Sequence, residues 1–406
     1  RSRMDGTVTD VATFAVVLAA LVLGGKVGGM LHAPLVGEIV VGLLLGPEGA
    51  GFLLYPEAIV LVGNFGLCLL VMEGGLSIDA STLRGVGRTA CVVAVAGTLL
   101  PIGLGCAFMT AVGFSVTTGI AAGTALSSTS IGMATKMMQT VGELNTPLGS
   151  LICVAAMVDD VLSLVILAVI SNLGRASGGD GDTALKIAQP ILVSAAVVAV
   201  GFVTFRFTPS LLAWLLKRLP PASHPDAIVC CLLALTMALV VAAGAAGSTF
   251  LLGAFAGGLS FARVEGAAEA WGRHAELSSW LTSVFFLSVG LRIPLGALFS
   301  PVGFALGLGY TVPAVAGKLV TGAFTGSWGE ATVVGWAMVG RGELGFVMAQ
   351  EARGEGMLGD TPYVACVWAL LIATLMSPVF MRRALETNRR NASRGGVVAA
   401  NGGSSG

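Results

Sequence analysis

The stretch LICVAAMVDDVLSLVILAVI, residues 151–170, decides how the rest of the chain is interpreted. Its length matches the roughly 20 apolar residues that a helix needs to cross the hydrocarbon core of a bilayer. Two adjacent aspartates, Asp159 and Asp160, lie near its centre, where an ionisable side chain costs roughly 2.5–3.5 kcal/mol on insertion scales. Acidic residues in such a position normally mark ion or proton pathways. The stretch therefore predicts a membrane-spanning helix that carries a functional pair of carboxylates.

Composition extends this prediction to the whole chain. Of the 406 residues, 55% are hydrophobic and 11% are charged, whereas soluble domains carry roughly 25% charged residues. Apolar runs recur almost from end to end and predict an all-α polytopic membrane protein with 13 helices. The candidate helices are 8–30, 34–47, 57–76, 88–112, 116–140, 147–172, 184–206, 226–243, 248–262, 272–291, 297–325, 330–353 and 360–383.

The charge balance and the cysteines exclude several function classes. The 22 basic and 22 acidic residues give a net charge of zero, which argues against a nucleic-acid partner. Seven cysteines lie mostly inside apolar runs without metal-ligand spacing, so we interpret them as small membrane-core residues. No nucleophile–base constellation and no cofactor motif is apparent. We therefore expect a transporter that needs no cofactor, rather than an enzyme.

Basic residues in the loops predict the orientation of the chain. If 13 crossings alternate sides, thirteen Lys and Arg residues fall on the side of the C-terminus and six on the other side. Cytoplasmic loops carry the excess of basic residues, which places the C-terminus in the cytoplasm and the N-terminus outside. We assign residues 1–386 to one membrane domain. The polar residues 387–406 are expected to form a disordered cytoplasmic tail.

An internal repeat is visible in the glycine pattern. Gly42-Leu43 recurs as Gly258-Leu259, a shift of 216 (258 minus 42), and Gly75-Leu76 recurs as Gly290-Leu291, a shift of 215 (290 minus 75). The repeats begin at the second and ninth candidate helices, an odd number of crossings apart, so the second repeat is inverted. Inverted repeats are typical of secondary transporters, which bind substrate near the midplane. The repeats cover about 34–172 and 226–383, with a linker helix at about 184–206.

Two candidate helices are interrupted at positions related by the same repeat. Four hydroxyl residues, Ser127–Ser130, interrupt the span 116–140, and Ser128 plus 215 gives Glu343 in the Gly-rich segment Gly340–Gly345. A broken helix exposes backbone groups that are tolerated at membrane depth only inside protein or beside water. The hydroxyls could instead bond back to helix carbonyls, but the symmetric position favours two broken helices.

Three further charged residues lie far from the ends of the predicted spans. Lys318 is a natural partner for one aspartate of the pair, which leaves the other aspartate free to bind an ion, although a purely structural salt bridge remains an alternative. Arg341 and Glu343 flank the second break, where we favour neutralisation of the free helix ends over direct contact with an ion.

With its aspartate pair, its two interrupted helices and Lys318, the chain resembles the monovalent cation/proton antiporters of the CPA2 type, in particular bacterial sodium/proton antiporters of the NapA and GerN kind. The resemblance covers residues 8–383. It rests on the segments PLVGEIVVGLLLGP (34–47), LCLLVMEGGLSID (67–79), GTALSSTSIG (123–132), TPLGSLICVAAMVDDVLSLVILAV (146–169), STFLLGAFAGGL (248–259), SVFFLSVGL (283–291), GKLVTGAF (317–324) and GRGELGFVMAQ (340–350).

The resemblance implies a fold with two crossed, broken helices and interleaved core and dimerisation subdomains, assembled as a homodimer in a lipid membrane. It implies that Asp160 binds either Na⁺ or a proton while Asp159 pairs with Lys318, and that oxygens at Ser128 and Thr129 help to replace the hydration shell. It also implies electrogenic exchange that contributes to pH homeostasis. Exchange of K⁺ or Li⁺, sodium/solute symport and an ion channel remain alternatives.

Overall fold

The computed structural model describes residues 2–53, 55–78, 80–140, 142–144, 146–175 and 183–402, and every regular element within these ranges is helical. Two short 3₁₀ segments, Pro221–Ser223 and Val320–Thr325, accompany the α-helices. The α-helices are α1 (Ser2–Met30), α2 (Pro34–Leu45), α3 (Pro56–Leu76), α4 (Ala80–Ala111), α5 (Val116–Ala125), α6 (Ile131–Thr140), α7 (Pro147–Arg175), α8 (Thr183–Leu216), α9 (His224–Ala245), α10 (Phe250–Phe261), α11 (Ala267–Gly272), α12 (Ala275–Leu291), α13 (Leu295–Leu298), α14 (Pro301–Leu319), α15 (Trp328–Val339), α16 (Glu343–Gly354) and α17 (Asp360–Gly402).

Many of these helices are suited to a membrane. Eight in the described part of the chain are long and apolar enough to cross a bilayer, and α2, α10 and α12 are shorter apolar helices. Because backbone groups cannot bond to water in lipid, helices satisfy them internally. The all-α polytopic fold class is confirmed, whereas the count of 13 crossings stays a prediction.

Both predicted breaks are present. The span 116–140 divides into α5 and α6, which are separated by the non-helical residues 126–130. The span 330–353 divides into α15 and α16, and here the break is shorter than predicted, covering Gly340–Gly342, because Glu343 already opens α16. An acidic residue in the first turn favours a helix start through its interaction with the helix dipole.

Two helices end ten or more residues beyond the C-terminal ends that the sequence predicts. The linker helix, expected to end at 206, continues as α8 to Leu216 and includes Pro209. The final helix, expected to end at 383, continues as α17 to Gly402, where a disordered tail was expected from residue 387. The tail contains helix formers such as Arg389, Arg390 and Ala392, and extending an existing helix avoids the cost of nucleation. Residues 403–406 lie outside the described residues.

The chain forms two compact units. The first unit comprises residues Arg1–Ala80, Leu164–Phe299 and Gln350–Asp360, and the second unit comprises Ser81–Ser163, Ser300–Ala349 and Thr361–Gly406. A buried core in the second unit joins residues of α4, α6, α7, α15 and α17, among them Val93, Met138 and Met338. The functional roles of the two units stay a prediction.

Within the first unit, the repeat-related glycines form two equivalent helix contacts. A Cβ atom on Gly42 of α2 would lie 2.1 Å from the carbonyl oxygen of Leu287 of α12, and one on Gly290 of α12 would lie 2.1 Å from that of Ile39 of α2. The residues 215 or 216 positions away repeat this geometry between α10 and α3. There a Cβ on Gly258 would lie 1.8 Å from Met72 O, and one on Gly75 would lie 2.2 Å from Phe255 O.

Helices α2 and α3 of the first repeat therefore pack against α12 and α10 of the second repeat, respectively, each through a glycine pair. Any side chain at these positions would separate the two backbones, which is the reason that small residues are enriched where membrane helices meet. The pair α2–α12 and the pair α10–α3 each contain one helix from each repeat, as a two-fold relation between the repeats requires. This pairing supports the repeat interpretation.

Gly75→Ala should destabilise the first unit, because its new methyl group would overlap a backbone oxygen that cannot rotate away. Overpacking of this kind typically costs about 1–3 kcal/mol. Gly74→Ala is the matched control, since a Cβ there meets nothing within 4 Å. We expect a lower melting temperature in detergent for Gly75→Ala alone, measured by fluorescence-detected size exclusion after heating. Equal melting temperatures for both variants would contradict this packing.

Candidate functional site

The second unit contains all of the charged residues that the sequence singles out. Its helix α7 carries Asp159 and Asp160, α14 carries Lys318, and the two breaks carry the remaining candidates: Ser128, Thr129, Arg341 and Glu343. Residues separated by more than 200 positions in sequence are thereby brought into one cluster.

A buried ion pair joins Asp159 to Lys318. The Lys318 Nζ atom lies 3.0 Å from Asp159 Oδ2, and neither side chain is exposed to solvent. The same ammonium group donates a hydrogen bond of 2.7 Å to Thr129 Oγ1, and the Thr129 hydroxyl in turn donates to the carbonyl oxygen of Met338, 3.3 Å away. The Lys318 ammonium therefore links the aspartate helix to the first break, and Thr129 links that break to the end of α15.

Helix α4 supplies a site residue that sequence reasoning missed. The Thr98 hydroxyl donates a 2.7 Å hydrogen bond to Asp159 Oδ1, so both carboxylate oxygens of Asp159 are engaged. Its neighbour Gly97 leaves room for the lysine, because a Cβ there would lie 3.3 Å from Lys318 Nζ. The available signal was a hydroxyl in an apolar helix, but such residues usually bond to their own helix. The Thr98 hydroxyl also lies 2.9 Å from Ala94 O, so its single proton is shared between this carbonyl and Asp159.

The two breaks contact each other through their backbones and through Arg341. The Ser130 N–H donates a 2.8 Å hydrogen bond to Gly340 O. The buried Arg341 guanidinium donates to the carbonyl oxygens of Leu126, Ser128 and Ala314. Leu126 and Ser128 follow the last turn of α5, where carbonyls have no partner within the helix and the dipole is negative. Arg341 is therefore placed where a positive charge compensates the broken end of α5.

Asp160 has surroundings quite different from those of Asp159. Asp159 is fully buried, whereas Asp160 is only half-buried. Within the described part of the chain, no hydrogen bond or salt bridge engages its carboxylate. Its acidic neighbours Glu343 and Asp159 and its basic neighbour Lys318 act on it electrostatically. Asp160 is thus the carboxylate of the pair that is left available to a mobile ion.

Among the described residues of this unit, three buried hydroxyl groups have no hydrogen-bond partner. These are the Oγ atoms of Ser128, in the first break, and Ser163, one helical turn after Asp159 and Asp160 on α7, and the phenolic oxygen of Tyr310 on α14. Leaving a buried hydroxyl unpaired costs about 1–3 kcal/mol, so a group of this kind suggests a missing ligand or water. Sequence reasoning identified Ser128 and missed Ser163, which looked like an ordinary small residue on an apolar helix.

The described residues hold no group of three or more His, Cys, Asp or Glu side chains that could bind a metal ion.

Lys318→Gln should destabilise the second unit strongly, because it leaves Asp159 buried without a counter-charge. Removing one partner of a buried ion pair typically costs about 3–5 kcal/mol. Removing both charges in Lys318→Gln/Asp159→Asn should recover much of the loss in melting temperature, measured by differential scanning fluorimetry in detergent. Lys217→Gln, at an exposed position in the turn after α8, is the control. Additive losses in the double variant would argue against the pair.

Comparison with known proteins identifies the family of this chain. The profile of the family described as sodium/hydrogen exchanger, transmembrane, matches residues 12–386. The chain is 27% identical to the high-affinity Na⁺/H⁺ antiporter NhaS3 of a Synechocystis species, over 92% of this chain and 89% of that protein. It is 25% identical to the Na⁺/H⁺-K⁺ antiporter GerN of Bacillus cereus, over 91% of this chain and 94% of that protein.

Among solved structures, the sodium/proton antiporter MjNhaP1 of Methanocaldococcus jannaschii shares the fold. Its TM-score is 0.64 at 15% sequence identity, covering 93% of this chain and 97% of that one. The prediction that the chain is a multi-pass transporter rather than an enzyme is confirmed by the family match over most of the membrane region. The chain belongs to the sodium/hydrogen exchanger family.

Proposed function

We propose that this protein exchanges a monovalent cation, Na⁺ or Li⁺, for protons across a membrane, with both ions competing for Asp160. The observation that carries the proposal is the unequal environment of the two aspartates. Asp159 is buried and engaged by Lys318 and Thr98, while Asp160 is half-buried and has no bonded partner among the described residues. The Asp159 carboxylate is therefore occupied by two bonded partners, whereas the Asp160 carboxylate is available to bind an ion.

Competition between the proton and the cation follows from the charge of the Asp160 carboxylate. A carboxylate that is partly removed from water and close to Glu343 and Asp159 gains from neutralisation by either a proton or a cation. It cannot hold both, because the protonated acid has lost the charge that attracts the cation. Binding one ion therefore releases the other, which is the requirement for coupled exchange.

The neutral oxygens near the first break would replace water around the cation. The unpaired Ser128 hydroxyl is available as a ligand. The Thr129 hydroxyl already accepts a hydrogen bond from Lys318 but retains one lone pair. We propose that Ser128 and Thr129 contribute oxygens, and that Arg341 and Glu343 compensate the broken helix ends, so that the ligand oxygens keep their positions when the cation leaves.

Transport would proceed by alternating access, in which the second unit carries the site as one body. The resemblance to antiporters with paired aspartates supports electrogenic exchange of more protons than cations, and it supports a homodimer. The excess of basic residues on one side supports a cytoplasmic C-terminus and an external N-terminus. Lys318 would stabilise ionised Asp159 and would itself exchange a proton during the cycle.

Asp160→Asn should abolish exchange, because an amide can neither release a proton at working pH nor neutralise a cation. The measurement is dequenching of a pH-sensitive dye in proteoliposomes on addition of Na⁺. Asp226→Asn, an exposed acidic residue in the first turn of α9, is the control and should retain wild-type activity. Exchange retained by Asp160→Asn would remove Asp160 from its proposed role.

Competition also predicts a dependence on pH. The apparent KM for Na⁺ should rise as the pH falls, since protons then occupy the carboxylate that binds the cation, while the rate at saturating Na⁺ stays nearly constant. Initial rates across a series of Na⁺ concentrations at several pH values measure this. A KM that is independent of pH, with only the maximal rate changing, would mean that the two ions use different sites.

Potassium/proton exchange is the nearest alternative, because the name of the relative GerN includes K⁺ as well as Na⁺. Hard monovalent cations share oxygen ligands, so the residues alone do not fix the ion radius. The same dequenching assay with Na⁺, Li⁺ and K⁺ compared distinguishes these functions. Sodium/solute symport would instead need an organic solute to stimulate sodium flux, and a channel would give single-channel currents without coupled proton movement.

A further inference from the structure

A groove that plays no part in ion exchange lies between α15 and α17 of the second unit. Its volume is about 350 Å³, within the range of about 300–1,000 Å³ that ligand pockets occupy. It is lined by three aromatic side chains, one arginine and several small or polar residues. The lining residues are Trp328, Trp336, Phe380, Arg383, Thr332, Thr387, Asn388, Gly329 and Ala384.

The aromatic and basic side chains of the groove are arranged in contact. Trp336 and Phe380 are stacked, with ring centroids 4.5 Å apart and planes inclined by 15°. The Arg383 guanidinium lies over the Phe380 ring, 5.7 Å from its centroid. Among the described residues, no carboxylate forms a salt bridge with Arg383, so its charge is available to a ligand. Trp328, at the start of α15, is 92% exposed, and its ring forms one apolar side of the groove.

Helix lengths place this groove at one surface of the membrane. Helix α15 has 12 residues and is therefore about 18 Å long. The hydrocarbon core is about 30 Å thick, so with the break near the midplane Trp328 reaches the interface. Tryptophan is enriched at this level because its ring is apolar while its N–H needs a polar partner.

The charge around the groove favours an anionic ligand. The sequence from Arg382 to Arg390 contains four arginines and one acidic residue, Glu386. Glu386 already pairs with Arg382 at 3.2 Å, and the other nearby carboxylate, Glu330, lies in the first turn of α15. The same loop-counting argument that places the C-terminus in the cytoplasm places Trp328 there too. The cytoplasmic leaflet is the one that presents anionic lipids.

We propose that the groove between α15 and α17 binds one anionic phospholipid, with Arg383 contacting the phosphate and the Trp328 ring packing against the glycerol and upper acyl chain. Thr332, Thr387 and Asn388 supply neutral hydrogen-bonding groups for the rest of the headgroup. A ligand with both an anionic and an apolar part fits this lining better than a free anion does. Basic pockets between membrane helices on the cytoplasmic side commonly hold such headgroups.

The test uses the full chain, purified in detergent and washed free of lipid. Dioleoyl phosphatidylglycerol and dioleoyl phosphatidylcholine are titrated separately, and retained lipid is counted by native mass spectrometry. The wild type should retain one phosphatidylglycerol in preference to phosphatidylcholine. Arg383→Gln should weaken this binding about fivefold, the equivalent of the roughly 1 kcal/mol that one basic residue contributes near a membrane surface.

Matched controls separate this site from general charge and general apolar effects. Arg273→Gln removes an exposed arginine of the first unit and should bind phosphatidylglycerol like the wild type. Trp328→Ala, whose exposed ring supports no core, should also weaken binding, whereas Trp280→Ala in the first unit should not. Because Arg383 and Trp328 are both exposed, neither substitution should impair folding, and the two give independent tests.

Three outcomes would overturn the proposal. The first is equal retention of phosphatidylglycerol by Arg383→Gln and the wild type. The second is equal binding of phosphatidylcholine, which would indicate an apolar surface without headgroup recognition. The third is displacement of the lipid by millimolar inorganic phosphate, which would identify the groove as a site for a free anion. Since no residue of the groove belongs to the ion site, these results are independent of the proposed exchange.

Discussion

The buried ion pair between Lys318 and Asp159 is the interaction on which the ion site depends. Two charges without solvent exposure are tolerated only when they are paired and their remaining hydrogen-bonding groups are satisfied. Thr98 donates a hydrogen bond to the second oxygen of Asp159. The Thr129 hydroxyl accepts a hydrogen bond from Lys318 and donates one to the carbonyl oxygen of Met338. Helices α4, α7 and α14 are thereby linked to the first break and to the end of α15 through a single ammonium group.

This pair also makes the adjacent aspartates unequal. With Asp159 committed to Lys318, the Asp160 carboxylate has no bonded partner in the described part of the chain, and it is only half-buried. Two identical residue types, adjacent in sequence, thus have different environments, and the proposed exchange assigns the ion to the unpaired one. An exchanger needs such an asymmetry, because a site with every charge paired would have no reason to bind an ion, and one with none paired would not release it.

The helices of the two units pack in different ways. In the first unit, glycine pairs such as Gly42 with Gly290 bring helix backbones together without intervening side chains. In the second unit, the breaks at residues 126–130 and 340–342 leave backbone groups, some of which are satisfied by Arg341 and by the hydrogen bond from Ser130 N–H to Gly340 O. Close glycine packing supplies rigidity, while the broken helices supply polar groups at membrane depth.

The sequence by itself determined the helical membrane fold, both breaks and the charged candidates, because an apolar run and a charge inside it are local properties. It also showed the repeat offset. The residues themselves left open which aspartate Lys318 binds, and the resemblance implied Asp159. Only the tertiary structure decided that Thr98 completes the pair and that the Ser128 and Ser163 hydroxyls are unpaired. The pair joins residues 159 positions apart, and a hydroxyl on an apolar helix has the same local pattern whether it bonds to its own backbone or to a distant carboxylate.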